Sequence, residues 1–444
     1  MTASHPPING PVSGPVGKPI SGPEGGLVGG LLGGPVSGPA DGPGGSPYGD
    51  PLDAVRKIVP LVIERADQAE RDVRVDDEVM ERLVAAGTMM LMAPREYGGA
   101  EAEPSVLIDV LQELSRADGS TGWAVMASMS GTGTMLTLLP EGGARAIAES
   151  PNPMCAGQAP PAGTARRVPG GFEVRGRFSF ASGSSHAGWF LGGYRVLDES
   201  GEPALDAAGR PSTAIGVVPR ARVELLGGWD VMGLVATGSY DYEVVPQFVE
   251  EGFLRVDGMD ALRGGPLYTM GLKSLPGVGH AAFALGVAQR ALEEFAVLAA
   301  QKKRPPSGVL NKSLAVQRDV AQWTARYKAA RAFTRDAFTR LYRVAADGGE
   351  RTTEMQADCR VAATHAVYTA AEVTREVYLA SGSEGLRNGH VIQRCFRDAH
   401  AASQHLFTAE HTYVDAGRIY LGTPGLTSLH SEVMTYTFAP PLMD

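Results

Sequence analysis

Residues 229–246 read WDVMGLVATGSYDYEVVP. A tryptophan and a glycine lead into Thr237–Gly238–Ser239, and the chain then runs as a strand that ends at Val245–Pro246. Small turn residues feeding β-branched and aromatic ones mark a strand entered through a tight loop. The same texture spreads outward from Cys155 to about Arg263, with strand-like runs at Phe172–Val174, Arg177–Ala181, Trp189–Val196, Ala214–Val218 and Ser239–Val245. Gly, Pro and Asp punctuate these runs, so the middle of the chain reads as a β domain.

Helical periodicity flanks it on both sides. Val55, Ile58, Val59, Val62 and Ile63 recur at three- and four-residue spacing, and Val79, Leu83 and Val84 continue after Asp76–Asp77, a capping pair. Pro94–Gly99 (PREYGG) breaks the pattern. A helix from about Pro104 to Arg116 follows, and Asp118–Gly119–Ser120 caps another apolar helix through Met129. Residues 51–150 therefore read as all-helical. After Gly277 the period returns in four long segments, near 278–302, 312–345, 353–380 and 391–420, which with short connections predict a helix bundle.

Composition bounds the rest. The chain has 444 residues, and its first 50 hold 15 of the 57 Gly and 10 of the 31 Pro. PVSGP occurs at 11–15 and again at 35–39, with PISGP at 19–23. Such a repeat cannot bury apolar surface, so residues 1–48 are expected to form a disordered tail. The remainder, in a chain 43% hydrophobic and 20% charged, can build a large core. No apolar run approaches the ~18 residues of a membrane span. Gly25–Gly34 (GGLVGGLLGG) is too short and glycine-rich for a signal peptide. Cys155, Cys359 and Cys395 lie far apart without a CxxC, which argues against a disulfide framework or a metal site. A net charge of −9 without a basic stripe argues against nucleic acid as the main partner. A reduced, cytoplasmic, metal-free protein is the expectation.

Two further stretches carry chemistry. In Gly176–Trp189 (GRFSFASGSSHAGW) a strand bearing Phe180 ends in Ser182–Gly183, where a hydroxyl and open N–H groups can approach a planar ligand. His186, in the same stretch, reads as a surface histidine or a satisfied structural one. In Arg394–His405 (RCFRDAHAASQH) the residues Asp398, Ala401, Ala402 and His405 fall on nearly one helix face. Taken singly, the first stretch is also an ordinary turn and the second an ordinary solvated helix.

The three stretches, in this order and on helix–β–helix texture, resemble the acyl-CoA dehydrogenase superfamily over nearly all of residues 51–444. Pro94–Gly99 resembles its P-x-x-Y-G-G turn, Trp229–Pro246 its W-x-x-x-G-x-x-x-T-x-S segment and Gln289–Leu292 its A-Q-R-A-L helix. Gly382–Asp398 spans the same 17 residues as its Gly-rich turn leading to Arg-Asp. The implied fold class is α+β and multi-domain, with an N-terminal helical domain (51–150), a central β-barrel-like domain (151–265) and a C-terminal four-helix bundle (266–444).

Departures from the pattern decide the reaction. Dehydrogenation of a thioester needs a carboxylate base. At the commoner position of that base, eight residues after Asp398, stands Leu406, and residues 273–292 supply no Asp or Glu for the alternative position. The residue before it, His405, completes R-D-x-x-x-x-x-x-H with Arg397 and Asp398, a pattern that resembles the two-component flavin monooxygenases built on this fold. That resemblance implies an oxygenase component that uses reduced flavin and O2, through a C4a-hydroperoxide, to hydroxylate a small aromatic, polyketide or amine substrate. His405 would be the catalytic residue. Ser182, Phe180, Gly157, Gln158, Trp123 and Arg397 would contact the flavin, and Ser130, Thr134 and His280 would line the substrate pocket. Lys302–Gly308 (KKRPPSG) and Leu379 replace the family's ADP-binding residues, which favours reduced FMN over reduced FAD. No GxGxxG follows a strand, so a separate NAD(P)H flavin reductase is the implied partner. Phenol hydroxylases of this group often carry a His after S-T-x-W, whereas Ser120–Trp123 (STGW) is followed here by Ser128–Thr134 (SMSGTGT). A homotetramer is implied as well. The alternatives are an FAD-dependent acyl-CoA dehydrogenase-like enzyme and a non-catalytic binding protein on the same fold.

Overall fold

A computed structural model describes residues 49–271, 274–305 and 308–423. The Gly/Pro tail lies outside the described residues.

The described residues open with five α-helices: α1 (Pro51–Asp72), α2 (Asp77–Ala85), α3 (Pro104–Ala117), α4 (Gly119–Leu138) and α5 (Glu141–Ala148). Local chemistry sets their starts. Asp50 accepts from the Leu52 amide and Asp76 from the Val79 amide, so each open helix end has a side-chain partner. Asp118 does the same for α4, accepting from the Thr121 amide at 2.8 Å and its hydroxyl at 2.7 Å. Helix α4 is buried almost throughout, from Gly119 to Leu138.

Seven strands follow: β1 (Cys155–Val168), β2 (Gly171–Ala181), β3 (Trp189–Leu197), β4 (Thr213–Pro219), β5 (Val223–Gly227), β6 (Tyr240–Glu250) and β7 (Leu254–Val256). They pair in the order β5-β6-β2-β1-β3-β4-β7. Among the described residues no pairing joins β5 to β7, so the strands form an open mixed sheet where a barrel-like domain was expected. Strand β1 has no forerunner among the runs picked out of the sequence. Its Pro160–Pro161 cannot donate to a ladder, and the parallel register with β3 shifts between Gln158 and Pro161. The sheet core is aromatic, with Phe178 stacked on Tyr242 at 5.0 Å.

The last third is helical: α6 (Pro266–Thr269), α7 (Leu275–Gln301), α8 (Leu314–Ala346), α9 (Thr353–Ser381), α10 (Val391–Ala402) and α11 (His411–Tyr420). Helices α7, α8, α9 and α10 pack on one another, and α7 also packs on α3. The expected single helix over 391–420 is in fact two. It stops at Ala402, and a 3-10 turn at Leu406–Thr408 intervenes. His405 caps that turn, its Nδ1 accepting from the Phe407 amide at 3.2 Å. Among the described residues no helix is long and apolar enough to cross a membrane.

Candidate functional site

Three elements converge: α4, the loop ahead of β6 with the end of β2, and the break after α10. Trp123 on α4 donates its indole N–H to Ser182 Oγ at 3.2 Å. Ser182 Oγ lies 2.7 Å from Ser239 Oγ, which lies 2.7 Å from Thr237 Oγ1. Thr237 donates to the Leu234 carbonyl at 2.7 Å. A hydroxyl has one proton. Because that of Thr237 goes to Leu234, Ser239 must donate to Thr237 and Ser182 to Ser239. Ser182 is left with a lone pair and no proton to offer.

The loop is held in place from behind. Leu234 adopts φ +57, unusual for a branched apolar residue, and its amide donates to Asp398 Oδ1 at 2.6 Å. Asp398 is buried, and burial together with the nearby Asp118 carboxylate pushes its pKa up to about 7. Arg394, on the same helix, pairs with Asp67 and with Glu70 at 3.3 Å. Arg397 pairs with Glu70 at 2.5 Å and donates to the Met232 carbonyl at 2.9 Å. The Arg-Asp pair of the sequence thus clamps α10 to α1 and to the Trp229–Ser239 loop.

At the other side of Trp123 stand two histidines. His280 and His405 lie with ring centroids 4.5 Å apart, and Trp123 meets them edge-on at 5.3 and 5.5 Å. Phe407 stacks on His280 at 5.1 Å, and the Arg360 guanidinium sits 4.1 Å from the Phe407 ring centroid. His405 is exposed to solvent although its ring is set among these aromatics. Burial in this aromatic nest pushes His405 down to about 4 and His280 to about 3. Both rings are therefore neutral at physiological pH. Leu406 carries no carboxylate into the group.

The other sequence candidates are spread around this centre. Phe180 is 68% exposed at φ +63, with Trp229 edge-on at 6.1 Å. Gln158 Oε1 accepts from the Ser179 amide at 2.9 Å, and its own amide donates to Tyr242 OH at 3.0 Å. Gly157 precedes it at φ +139, where an added Cβ would sit 2.6 Å from Tyr242 OH. Ser130 and Thr134 are half-buried one turn apart on α4, with Ser130 Oγ 3.7 Å from Met92 sulfur. His186 bonds the Val75 carbonyl at 3.0 Å, which makes it the satisfied histidine of the two alternatives. Arg397 is placed with the ion-pair cluster rather than with Trp123. The hydroxyl relay through Thr237 and Ser239 was not foreseen, although its signal, T-G-S before a strand, was in the quoted stretch.

The acyl-CoA dehydrogenase N-terminal domain matches residues 51–143, and its C-terminal domain matches residues 278–410. Indole-3-acetate monooxygenase from Pseudomonas putida is 30% identical over 361 residues, 81% of this chain and 90% of that protein. This chain belongs to the acyl-CoA dehydrogenase family. A second relative, the oxygenase subunit HsaA of a flavin-dependent monooxygenase from Mycobacterium tuberculosis, is 27% identical and covers 84% of this chain and 95% of its own. XiaF from Streptomyces, solved with FADH2 and glycerol, shares the fold at a TM-score of 0.78 and 23% identity, covering 85% of this chain and 97% of its own. Within the family this chain is an oxygenase component of a flavin-dependent monooxygenase, and its missing carboxylate at Leu406 agrees with that reaction class.

Residues of this chain fit a flavin. Phe180 leaves an aromatic face uncovered in a backbone conformation that costs about 1 kcal/mol or more, and Ser182 beside it offers an acceptor. A planar ring system with an N–H donor at its centre answers both.

Proposed function

We propose that the protein hydroxylates a small aromatic substrate with reduced FMN and O2, the flavin being delivered by a separate NAD(P)H-dependent reductase. The observation that carries this reading is the direction of the hydroxyl relay. Ser182 can only accept, and reduced flavin carries an N–H at N5 where oxidised flavin has a lone pair. The site is thus matched to the reduced form. Phe180 and Trp229 would face the ring system, Gly157 and Gln158 would border it, and Arg397 would hold the loop beneath it. When bound, the reduced flavin supplies the two electrons that activate O2.

His405 is the residue placed to manage the proton. It is neutral, and with Nδ1 occupied by the Phe407 amide its proton is on Nε2. It therefore offers a donor beside the Trp123 and His280 rings, where it could hydrogen-bond a bound ligand. Ser130 and Thr134 would contact the substrate. Two of the relatives act on aromatic acids, indole-3-acetate and p-hydroxyphenylacetate, and the Trp123 and Phe407 walls suit an aromatic guest.

Lys302 donates to the Ser381 carbonyl at 2.6 Å. It and Arg304 would stand 3.4 and 3.5 Å from a Cβ at Gly382, so two cations meet the Gly-rich turn and suit a flavin phosphate. Leu379, 59% exposed, offers no hydrogen bond to an adenosine half, which favours FMN. A cytoplasmic homotetramer completes the reading. The test is turnover with FMN, a flavin reductase and ¹⁸O2 across a panel of aromatic acids, indoles and amines. Product heavier by one ¹⁸O supports the proposal. Flavin reduction by an acyl thioester under anaerobic conditions would overturn it.

A further inference from the structure

Among the described residues two arginines are buried, and they are used differently. Arg394 spends its guanidinium on the carboxylates of Asp67 and Glu70. Arg360, on α9 and 5% exposed, makes no ion pair with a carboxylate among the described residues. Its Nη2 donates to the Phe407 carbonyl at 3.1 Å and to Thr412 Oγ1 at 3.4 Å, and the guanidinium sits 4.1 Å from the Phe407 ring centroid. Its Nε–H is buried without a partner. Burial pushes Arg360 down to about 10 against the raising field of Asp415 on α11, so the side chain is charged at physiological pH. A buried cation without an ion pair is costly. What this one holds is chiefly a single residue, gripped by its carbonyl and its ring at once.

That residue in turn holds His405. Among the described residues the one hydrogen bond to the His405 ring comes from the Phe407 amide, at 3.2 Å to Nδ1. His280 supplies none, although the two ring centroids are 4.5 Å apart. Its Nδ1 gives its proton to the Pro276 carbonyl at 2.7 Å, and its Nε2 lone pair is buried without a partner. Gln404, His405 and Leu406 are exposed, so little packing steadies the turn from outside. Its anchor lies on the inner side, at Phe407.

We infer that Arg360 is a positioning residue for His405: it fixes Phe407 by carbonyl and ring, and the Phe407 amide then fixes the His405 tautomer that offers Nε2–H. No proton is transferred. Arginine suits the task because a planar guanidinium can lie over a ring and still donate to a carbonyl, whereas an ammonium is a point charge. The inference rests on the proposed role of His405 and adds what keeps that ring in register.

The test uses the full chain without flavin, labelled with ¹⁵N-histidine to read the His405 tautomer, with amide hydrogen exchange followed at Phe407. The unmodified protein should show His405 as the Nε2–H tautomer and a protected Phe407 amide. Arg360→Met removes donor and cation at similar length. It should speed Phe407 amide exchange by about threefold to tenfold, the range of one lost hydrogen bond, and shift His405 towards a mixture of tautomers. Arg360→Lys keeps the charge but not the planar fork, and should show the same changes at about twofold to threefold. In turnover, Arg360→Met should lower product per flavin oxidised and raise H2O2, with substrate KM within about twofold. A merely structural arginine predicts a lower melting temperature with the His405 spectrum and Phe407 exchange of the folded protein unchanged. That outcome in either variant overturns the inference, and Arg360→Lys decides alone if Arg360→Met does not fold. Finding His405 mainly as the Nδ1–H tautomer in the unmodified protein overturns it without any variant. The spectra do not need catalysis, so absence of oxygenation in the unmodified protein would sink the proposed function and leave the positioning result standing.

Discussion

Ser182 has one proton, and where it goes decides what the site can hold. The relay Ser182→Ser239→Thr237→Leu234 spends that proton on protein. Thr237→Val removes the end of the relay, frees the Ser239 and Ser182 hydroxyls to turn, and lets Ser182 donate. Oxidised FMN should then bind several-fold better relative to reduced FMN than it does to the unmodified protein. Titration of both redox states checks this, and an unchanged ratio removes the polarity argument. His405→Ala acts on a different step. Reduced flavin should still bind, while product per flavin oxidised should fall about 10²-fold, the usual scale for a lost acid–base group, with H2O2 in its place. Phe180→Gly separates strain from use: it relieves a positive φ in an exposed side chain and should raise the melting temperature slightly while weakening reduced-flavin binding.

At the scale of elements, most of the helical architecture was legible because it rests on periodicity and caps. The segments near 312–345 and 353–380 are α8 and α9 to within two residues. What could not be read depends on long-range geometry. Strand β1 hides behind two prolines because its ladder is interrupted, and α10 reads through to 420 because Ala401, Ala402 and His405 keep the helical period. The chain breaks there because the His405 imidazole captures the Phe407 amide. The same limit holds for the site: the sequence offered Ser182, Trp123 and His405 one by one, but the direction of the relay and the empty lone pair of His280 exist only once three elements meet. One crossing shows how tight that meeting is. Gly286 on α7 packs against α3, where an added Cβ would lie 2.7 Å from Ser115 Cβ and 2.8 Å from the Arg116 amide nitrogen. Gly286→Ala should therefore cost about 1–3 kcal/mol of stability by overpacking, read from the midpoint of urea unfolding.

Across the whole molecule, buried groups of opposite sign pull the pH dependence of stability in opposite directions. His280 titrates near 3 and His405 near 4 in the folded chain, against about 6.5 when unfolded. Between those values the unfolded chain binds protons that the folded chain does not, so their contribution to stability is lost as pH falls below about 6.5. Asp398 titrates near 7 when folded and near 3.9 when unfolded. From about pH 4 to 7 the folded chain holds a proton that the unfolded one lacks, and this contribution is lost as pH rises. Two histidines outweigh one aspartate, so stability should fall on acidification from pH 6.5, but less steeply than the histidines alone would require. Asp398→Asn keeps an acceptor for the Leu234 amide and removes the opposing proton. Its stability should drop more steeply between pH 6.5 and 4.5, by up to about 1.4 kcal/mol per pH unit beyond the unmodified slope. Urea midpoints measured across that range decide it: identical slopes would mean that Asp398 is already ionised in the fold, and that the clamp on Leu234 is a charged one.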